Sequence, residues 1–351
     1  MFSRRKGLLV ISVGLSVAAN TAVPAKPGAP PAAATVSKLA LTPADQKPDL
    51  KLMQVQVILD HLGFSPGVVD GKAGSRLKLA LSGFQAAKGL PVNGDLDPAT
   101  IQALTQYHAT GAISDVTLMP ADLAGPFVGP LPKRENDQAK LPSLGYANPL
   151  EMLAERYHTT PATLMALNSP DMKLIAGSVI HVPNTATWTR DYPASLPDGY
   201  KQTLAGLNVG SNQAHSAKLV ISKAAGTLSV YDDAGKLIAQ FPVTTGSQHD
   251  PLPIGEWKIV GASYNPEFHF NPRLFWDAKK GDKAATLQPG PKGPVGIVWL
   301  DLNKPHYGIH GTPNPQNIGR TESHGCVRLT NWDVGRLSLM VKPGTQAIFQ
   351  P

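Results

Sequence analysis

The chain of 351 residues holds one cysteine, Cys326, in the stretch Ser323-His324-Gly325-Cys326-Val327-Arg328-Leu329, and a second histidine stands upstream in Tyr307-Gly308-Ile309-His310-Gly311-Thr312. A cysteine with no partner in its own chain can serve through burial, metal ligation, pairing between chains, or the nucleophilicity of its thiolate. The setting favours the last. A thiol titrates near ~8.5, so a catalytic one needs a neighbouring imidazole or backbone dipoles to hold the thiolate at neutral pH. His310 and His324 are on hand for this. Gly325, directly before Cys326, lets the backbone turn sharply and approach a substrate, as main-chain N–H groups must do to form an oxyanion hole. Gly311 does the same beside His310.

Histidines with a cysteine also read as a zinc site. If residues 305–309 form a strand, His306 and His310 share a face but lie about 13 Å apart at ~3.3 Å per residue. That separation cannot clasp one ion, whose ligands sit ~2.0–2.3 Å away. Only His310, His324 and Cys326 could converge, and the nucleophile reading is preferred, with no metal or cofactor expected. His306 is expected at the surface or in a groove.

These residues resemble the signature of the bacterial peptidoglycan L,D-transpeptidases (the YkuD type): a His-Gly pair, a spacer, then Ser/Thr-His-Gly-Cys-hydrophobic-Arg or Asn. His310-Gly311 and Ser323 to Arg328 fit that pattern, and the resemblance extends from about Ala217 to Pro351. It implies that Cys326 attacks a substrate carbonyl and that His310 is its general base and acid. Gly311 would orient His310 through its backbone carbonyl, and His324, Gly325 and Cys326 would shape the oxyanion hole. Arg328, with Ser323 and Tyr307, would order the site and its anionic substrate. The implied reaction releases D-alanine from a stem tetrapeptide and passes the acyl group to a second stem. Water, a free D-amino acid or an envelope protein are alternative acceptors, so an L,D-carboxypeptidase, or an enzyme attaching or releasing an envelope protein, is the runner-up. An inactive wall-binding scaffold is the contrasting class. A cysteine protease acting on ordinary L-peptides finds no support in the context.

The elements that must position this site read as short strands. Residues 219–222, 227–231, 237–244 and 256–260 are β-rich and separated by the turn signals Ala225-Gly226, Asp233-Ala234-Gly235 and Pro253-Ile254-Gly255. Their spacing predicts a mainly β catalytic domain, a sandwich or barrel, over residues 217–351. Residues 264–296 are too long and polar for a simple hairpin and predict a lid or groove wall. Phe275, Trp276 and Trp299 are expected to pack the core in preference to lining a channel.

Two smaller modules precede it. Leu52, Val55, Leu59 and Leu62 predict a helix ended by Gly63. A short repeat follows, in which Asp70-Gly71-x-x-Gly74 and Val92-Asn93-Gly94 each lead into a helix, the second with Asp97 as N-cap, Pro98 in its first turn, and Ile101 and Leu104 inward. Residues 50–107 therefore read as a helical module that resembles the peptidoglycan-binding domain, on the Asp70 turn and the Phe84-Gln85 pair. Residues 108–140 read as a linker with a short strand at 115–119. Residues 141–184 resemble a LysM module, a small α+β glycan binder. Asn148-Pro149 and Thr160-Pro161 open its helices, and Gly177 to Pro183 supplies a strand. Ala147-Asn148-Pro149-Leu150 replaces the Gly-Asp-Thr-Leu usual there. Residues 184–216 read as loop.

Composition sets the outer bounds. A length of 351 residues predicts two or three domains, and 33 Pro and 33 Gly with 6% aromatics point to turns and short strands. The net charge of +7 is modest and not clustered in a run, which disfavours nucleic-acid binding and leaves attraction to an acidic wall polymer. Arg4, Arg5 and Lys6 before an apolar stretch at 7–19 read as a signal peptide over residues 1–25, followed by a flexible leader at 26–49. The expected setting is the periplasm or cell envelope, against peptidoglycan stem peptides and glycan, with no stable membrane insertion. Oligomeric state and the choice between export routes are left open.

Overall fold

The computed structural model describes residues 47–187 and 189–351, so the expected signal peptide and all but the last three residues of the leader lie outside the described residues. The described part opens where Asp49 caps helix α1 (Leu50–His61), accepting from the N–H groups of Lys51 and Leu52. Helices α2 (Ser75–Lys88) and α3 (Pro98–Thr105) follow, and Asp97 caps the latter through the Thr100 N–H at 2.8 Å. Inside this module a buried glutamine holds each turn of the repeat. Gln56 accepts from the N–H groups of Asp70 and Gly71 and donates to the Asp70 carboxylate. Gln85 accepts from Asn93 and Gly94 and donates to the Asn93 side chain. Leu104 is buried as expected. Ile101 is not: it is 53% exposed, and Thr100 takes the inward position.

Helix α1 is apolar on two sides, which explains how the module sits. Ile58 and Leu59, with Leu52, Val55 and Leu62, face the module's own core, whereas Met53 and Val57 pack with Val69 and, beyond the module, Ile113 and Leu167. The loop after α1 joins the C-terminal sheet, where the Ser65 N–H donates to the Gln240 carbonyl and the Gln240 N–H to the Gly63 carbonyl, both at 2.9 Å.

The stretch read as a linker is built into the protein. Strand β1 (Ile113–Thr117) pairs antiparallel with β2 (Val179–Pro183), and between them lie a short helix α4 (Glu135–Gln138) and helices α5 (Pro149–Arg156) and α6 (Pro161–Leu167). Asn148 and Thr160 cap α5 and α6. Leu150, Leu153, Leu164, Ile180 and Val182 form their common core. The unit thus runs strand, helix, helix, strand, with its first strand drawn from residues N-terminal to 141.

Helix α7 (Asp198–Gly206) occupies part of the segment expected to be loop. Pro197, Asp198 and Gly199 read locally as a turn, but Tyr200 and Leu204 are fully buried in the core of the C-terminal domain. That core therefore recruits residues upstream of Ala217.

The C-terminal domain adds β3 (Lys218–Ser222), β4 (Thr227–Tyr231), β5 (Leu237–Pro242), β6 (Gly255–Tyr264), β7 (Phe268–Phe270), β8 (Ala285–Leu287), β9 (Val298–Leu302), β10 (Gly308–His310), β11 (Val327–Arg328), helix α8 (Asn331–Met340) and β12 (Gln346–Gln350). Eight of these strands share one hydrogen-bonded order, β11-β10-β9-β6-β12-β3-β4-β5. Long β6 serves two neighbours, pairing with β12 through residues 255–258 and with β9 beyond a register shift at 259–261. Past β5, Thr244 exchanges both backbone hydrogen bonds with Arg328, at 2.9 and 3.0 Å, so the chain after β5 meets β11 at the other end of the order. Helix α8 packs over β9 and β10, with Trp332, Val334 and Leu337 inward.

The insertion at 264–296 forms the β7–β8 hairpin around Phe270 and Leu287. Residues 131–146 clasp it through Arg134 to Asp282 (2.7 Å), Asn136 to the Lys283 carbonyl (2.8 Å) and backbone bonds between Leu144 and both Pro289 and Lys292. Among the described residues no helix is long and apolar enough to cross a membrane.

Candidate active site

Strands β10 and β11 run parallel, with Ile309 opposite Val327 and His310 opposite Arg328. Ile309 and Val327 are both fully buried in the core. Since successive side chains alternate faces, His310, Arg328 and Cys326 leave the sheet together on the other face. Reading the register back one residue puts Cys326 beside Gly308, whose backbone N–H acts on the sulfur. The spacing of the two motifs thus becomes adjacency on one surface.

His310 is 4% exposed, and its Nδ1 lies 2.7 Å from the Gly311 carbonyl oxygen. A carbonyl only accepts, so Nδ1 carries the proton and Nε2 keeps a free lone pair. Trp299, directly opposite on β9, stacks on the imidazole at 5.1 Å and 15°. The expectation that Trp299 merely packs the core is corrected here: its ring is a wall of the site. Burial and the nearby Arg328 guanidinium depress His310 to about 3, while the Gly311 bond works weakly the other way. The imidazole is neutral at pH 7.

Burial likewise pushes the Cys326 thiol above its ordinary range, opposed by the Gly308 N–H and by Arg328. The sulfur lies 3.9 Å from the His306 carbonyl, a weak acceptor for S–H. The resting pair is therefore thiol and neutral imidazole. Neither group is charged at rest. His306 itself is exposed with a positive φ of 68°, and its backbone alone meets the site.

The loop before Cys326 is held from behind. Ser323, expected to touch substrate, is 3% exposed and donates its hydroxyl to the Cys326 carbonyl at 2.5 Å, while its backbone bonds Thr245 and Ser247. Its side chain is thus turned back into the loop that carries Cys326. Gly325 has φ of +96°, and a Cβ there would stand 2.7 Å from the Tyr307 ring. The left-handed turn and the close aromatic both require glycine. The N–H groups of His324, Gly325 and Cys326 donate to no acceptor among the described residues, which leaves them available to a developing oxyanion. Tyr307 is half-buried against this turn, with Lys304 over its ring at 5.1 Å. Arg328 reaches the Glu322 carbonyl only at 3.5 Å, and its buried Nε has no partner among the described residues.

Three contributors carry no signal in the motif spacing. Asp277, from the insertion, accepts from His324 Nε2 at 2.9 Å, and Phe275 meets the same imidazole edge-on at 4.9 Å. Phe275 belongs to the small hairpin core, but Trp276 is 61% exposed and stacks on His249, so the core assignment fails for it. Asn331 is the third. It sits at the start of α8 so close to Gly311 that a Cβ at that glycine would come within 2.1 Å of its Oδ1. Its Nδ2 donates to Glu155 of α5 at 2.7 Å and to the Pro291 carbonyl at 2.9 Å. Burial raises the Glu155 carboxyl to about 7, against the pull of Lys292. A chain of contact thus runs from α5 through Asn331 and Gly311 to His310. Among the described residues no group of three His, Cys, Asp or Glu is arranged to hold a metal.

Residues 216–349 match the family described as "L,D-transpeptidase catalytic domain", and residues 49–104 match "Putative peptidoglycan binding domain". The protein named "Putative L,D-transpeptidase YkuD" from Bacillus licheniformis is 34% identical over 134 residues, which is 38% of this chain and 66% of that protein. Its namesake from Bacillus subtilis (strain 168) is 33% identical over 111 residues, 32% of this chain and 52% of that protein. The chain thus spans between about half and two thirds of the length of these relatives. A crystal structure of L,D-transpeptidase 3 from Mycobacterium tuberculosis with a faropenem-derived adduct superposes at a TM-score of 0.32 and 17% identity, covering 39% of this chain and 61% of that one.

Proposed function

Since residues 216–349 belong to the L,D-transpeptidase catalytic-domain family and residues 49–104 to a peptidoglycan-binding one, we propose that this chain cross-links peptidoglycan in the cell envelope through a Cys326 thioester. The observation that carries the reading is the placement of Cys326 and a neutral, Nδ1-protonated His310 on one face of paired strands.

In the first half-reaction His310 Nε2 removes the thiol proton as sulfur attacks the carbonyl that links the diamino acid of a donor tetrapeptide to its terminal D-alanine. The carbonyl π pair moves to oxygen, beside the free N–H groups of His324, Gly325 and Cys326. Collapse breaks the C–N bond, and D-alanine departs with the proton that His310 returns to its nitrogen. A thioester remains. In the second half-reaction the amine of an acceptor stem attacks it, His310 takes the amine's proton, and the sulfur leaves as thiol on receiving that proton. Arg328, whose buried Nε has no partner among the described residues, supports both the thiolate character of Cys326 and an anionic substrate. The β1–α5–α6–β2 unit has the strand-helix-helix-strand order of a LysM module, which supports a role in holding the glycan.

The full chain incubated with disaccharide tetrapeptide should yield a cross-linked dimer lighter than two substrates by one D-alanine, and Cys326→Ala should yield none. Product formed by that variant at a substantial fraction of the parent rate would sink the assignment of the nucleophile. Tripeptide without dimer would make water the acceptor.

A further inference from the structure

Residues far apart in sequence line one cleft of about 150 Å³: Asp70, Lys72 and Arg76 from the helical module, Thr163 from α6, and Gln316 and Arg320 from the loop that leads to Ser323. Arg76 Nη1 donates to the Gln316 carbonyl at 3.3 Å, which ties the helical module to that loop. Neither Arg76 nor Arg320 has an ion pair among the described residues. Asp70, the one carboxylate among the described residues that line the cleft, already accepts from Gln56 and from the Lys72 N–H. It can balance one guanidinium at most. Arg76 and Arg320 line the same cleft, and burial, then the charge of Arg320, weaken Arg76's hold on its proton against the opposing pull of Asp70.

Folding brings these like charges together across a contact between modules, an arrangement that is unfavourable until an anion bridges them. Guanidinium forks match a carboxylate in two-pronged geometry, and a cleft of this volume admits a carboxylate with its water but not a sugar ring pair. Arg320 lies six residues before Cys326, so their Cα atoms are at most about 20 Å apart. That is within the span of one stem peptide with its sugar.

We propose that this cleft is a carboxylate-binding site, which holds a stem-peptide carboxylate of peptidoglycan while the reacting stem lies at Cys326. It rests on the peptidoglycan reading above and adds to it a second contact, made jointly by the helical module and the catalytic domain.

The test titrates the full chain carrying Cys326→Ala with disaccharide tetrapeptide by calorimetry, beside the same compound with its carboxylates amidated. Arg320→Gln should weaken tetrapeptide binding by about tenfold, the loss expected for one charge-assisted hydrogen bond. Arg76→Gln should do likewise, Arg320→Lys should recover part of the loss, and binding of the amidated compound should respond to none of them. In chains that retain Cys326, acylation by a carbapenem too small to reach the cleft should stay within twofold for Arg320→Gln. Unchanged tetrapeptide affinity in Arg320→Gln and in the double variant would overturn the site, as would an equal loss for the amidated compound. Inorganic phosphate that binds the cleft and resists displacement by tetrapeptide would assign it to a phosphate polymer and overturn it too. Arg320 is exposed on a loop, so its variants keep the test valid if Arg76→Gln fails to fold. A parent chain that no carbapenem acylates would sink the transpeptidase reading by itself, because the titrations need no turnover.

Discussion

The rate at which iodoacetamide alkylates Cys326, followed from pH 5 to pH 9.5, tests the protonation state on which the mechanism depends. The readout is unambiguous because the chain has a single thiol. Even an unperturbed thiol is only about 3% thiolate at pH 7, and burial pushes Cys326 further toward the protonated form. His310, depressed to about 3, offers no proton acceptance at rest that would compensate. Moving the proton from sulfur to imidazole before substrate arrives is therefore uphill on both sides, since burial disfavours the thiolate and the imidazolium alike. Alkylation should therefore rise about tenfold per pH unit through pH 8, with no shoulder near pH 6 or 7. Arg328→Gln should move the curve to higher pH, since it removes a cation that favours the thiolate. A rate that is flat between pH 5 and 8 would show a stored thiolate–imidazolium pair and refute the reasoning.

Further outcomes follow from the same geometry. His310→Ala should abolish cross-linking almost as fully as Cys326→Ala, whereas His324→Ala, whose ring is held by Asp277 and Phe275, should reduce it less; rates in the opposite order would exchange their roles. A carbapenem should leave one adduct per chain by intact-protein mass spectrometry, absent in Cys326→Ala and indifferent to chelator, and an adduct that persists in the variant would place the nucleophile elsewhere. Glu155 is raised to about 7 from an ordinary 4.5, so between those values the folded state binds the extra proton and stability falls as pH rises. Glu155→Gln cannot ionise, and in urea unfolding it should gain on the parent by on the order of 3 kcal/mol between pH 4 and pH 8.5; a difference independent of pH would contradict the assignment. Gly311→Ala should cost about 1–3 kcal/mol from overpacking against Asn331, with part of that cost absent in an Asn331→Ala background, and strict additivity of the two would show that they do not touch.

What could be read from the chain alone is what chemistry and local backbone geometry impose over a few residues. A lone thiol preceded by glycine and flanked by histidines announces a nucleophile, because its reactivity is a property of those groups. Asp97, Asn148 and Thr160 announce helix starts, because the N–H groups that they cap lie within three residues. The turns at Gly226 and Gly235 announce strand ends because left-handed backbone is cheap only at glycine. Tertiary structure decided everything that joins residues distant along the chain. Trp299 was one more aromatic until the β9–β10 register set it over His310. The short strand read at 115–119 inside a linker carried no sign of its partner, which the structure supplies by pairing residues 113–117 with 179–183. Helix α7 hid because its start reads as a turn and its two apolar contacts fit any core. The second apolar side of α1, the Asp277–His324 bond and the line from Glu155 through Asn331 to Gly311 were hidden for the same reason. Periodicity tells which face of an element is buried, but not what buries it. A side chain that positions a catalytic group from 20 or 150 residues away leaves no pattern in its own neighbourhood.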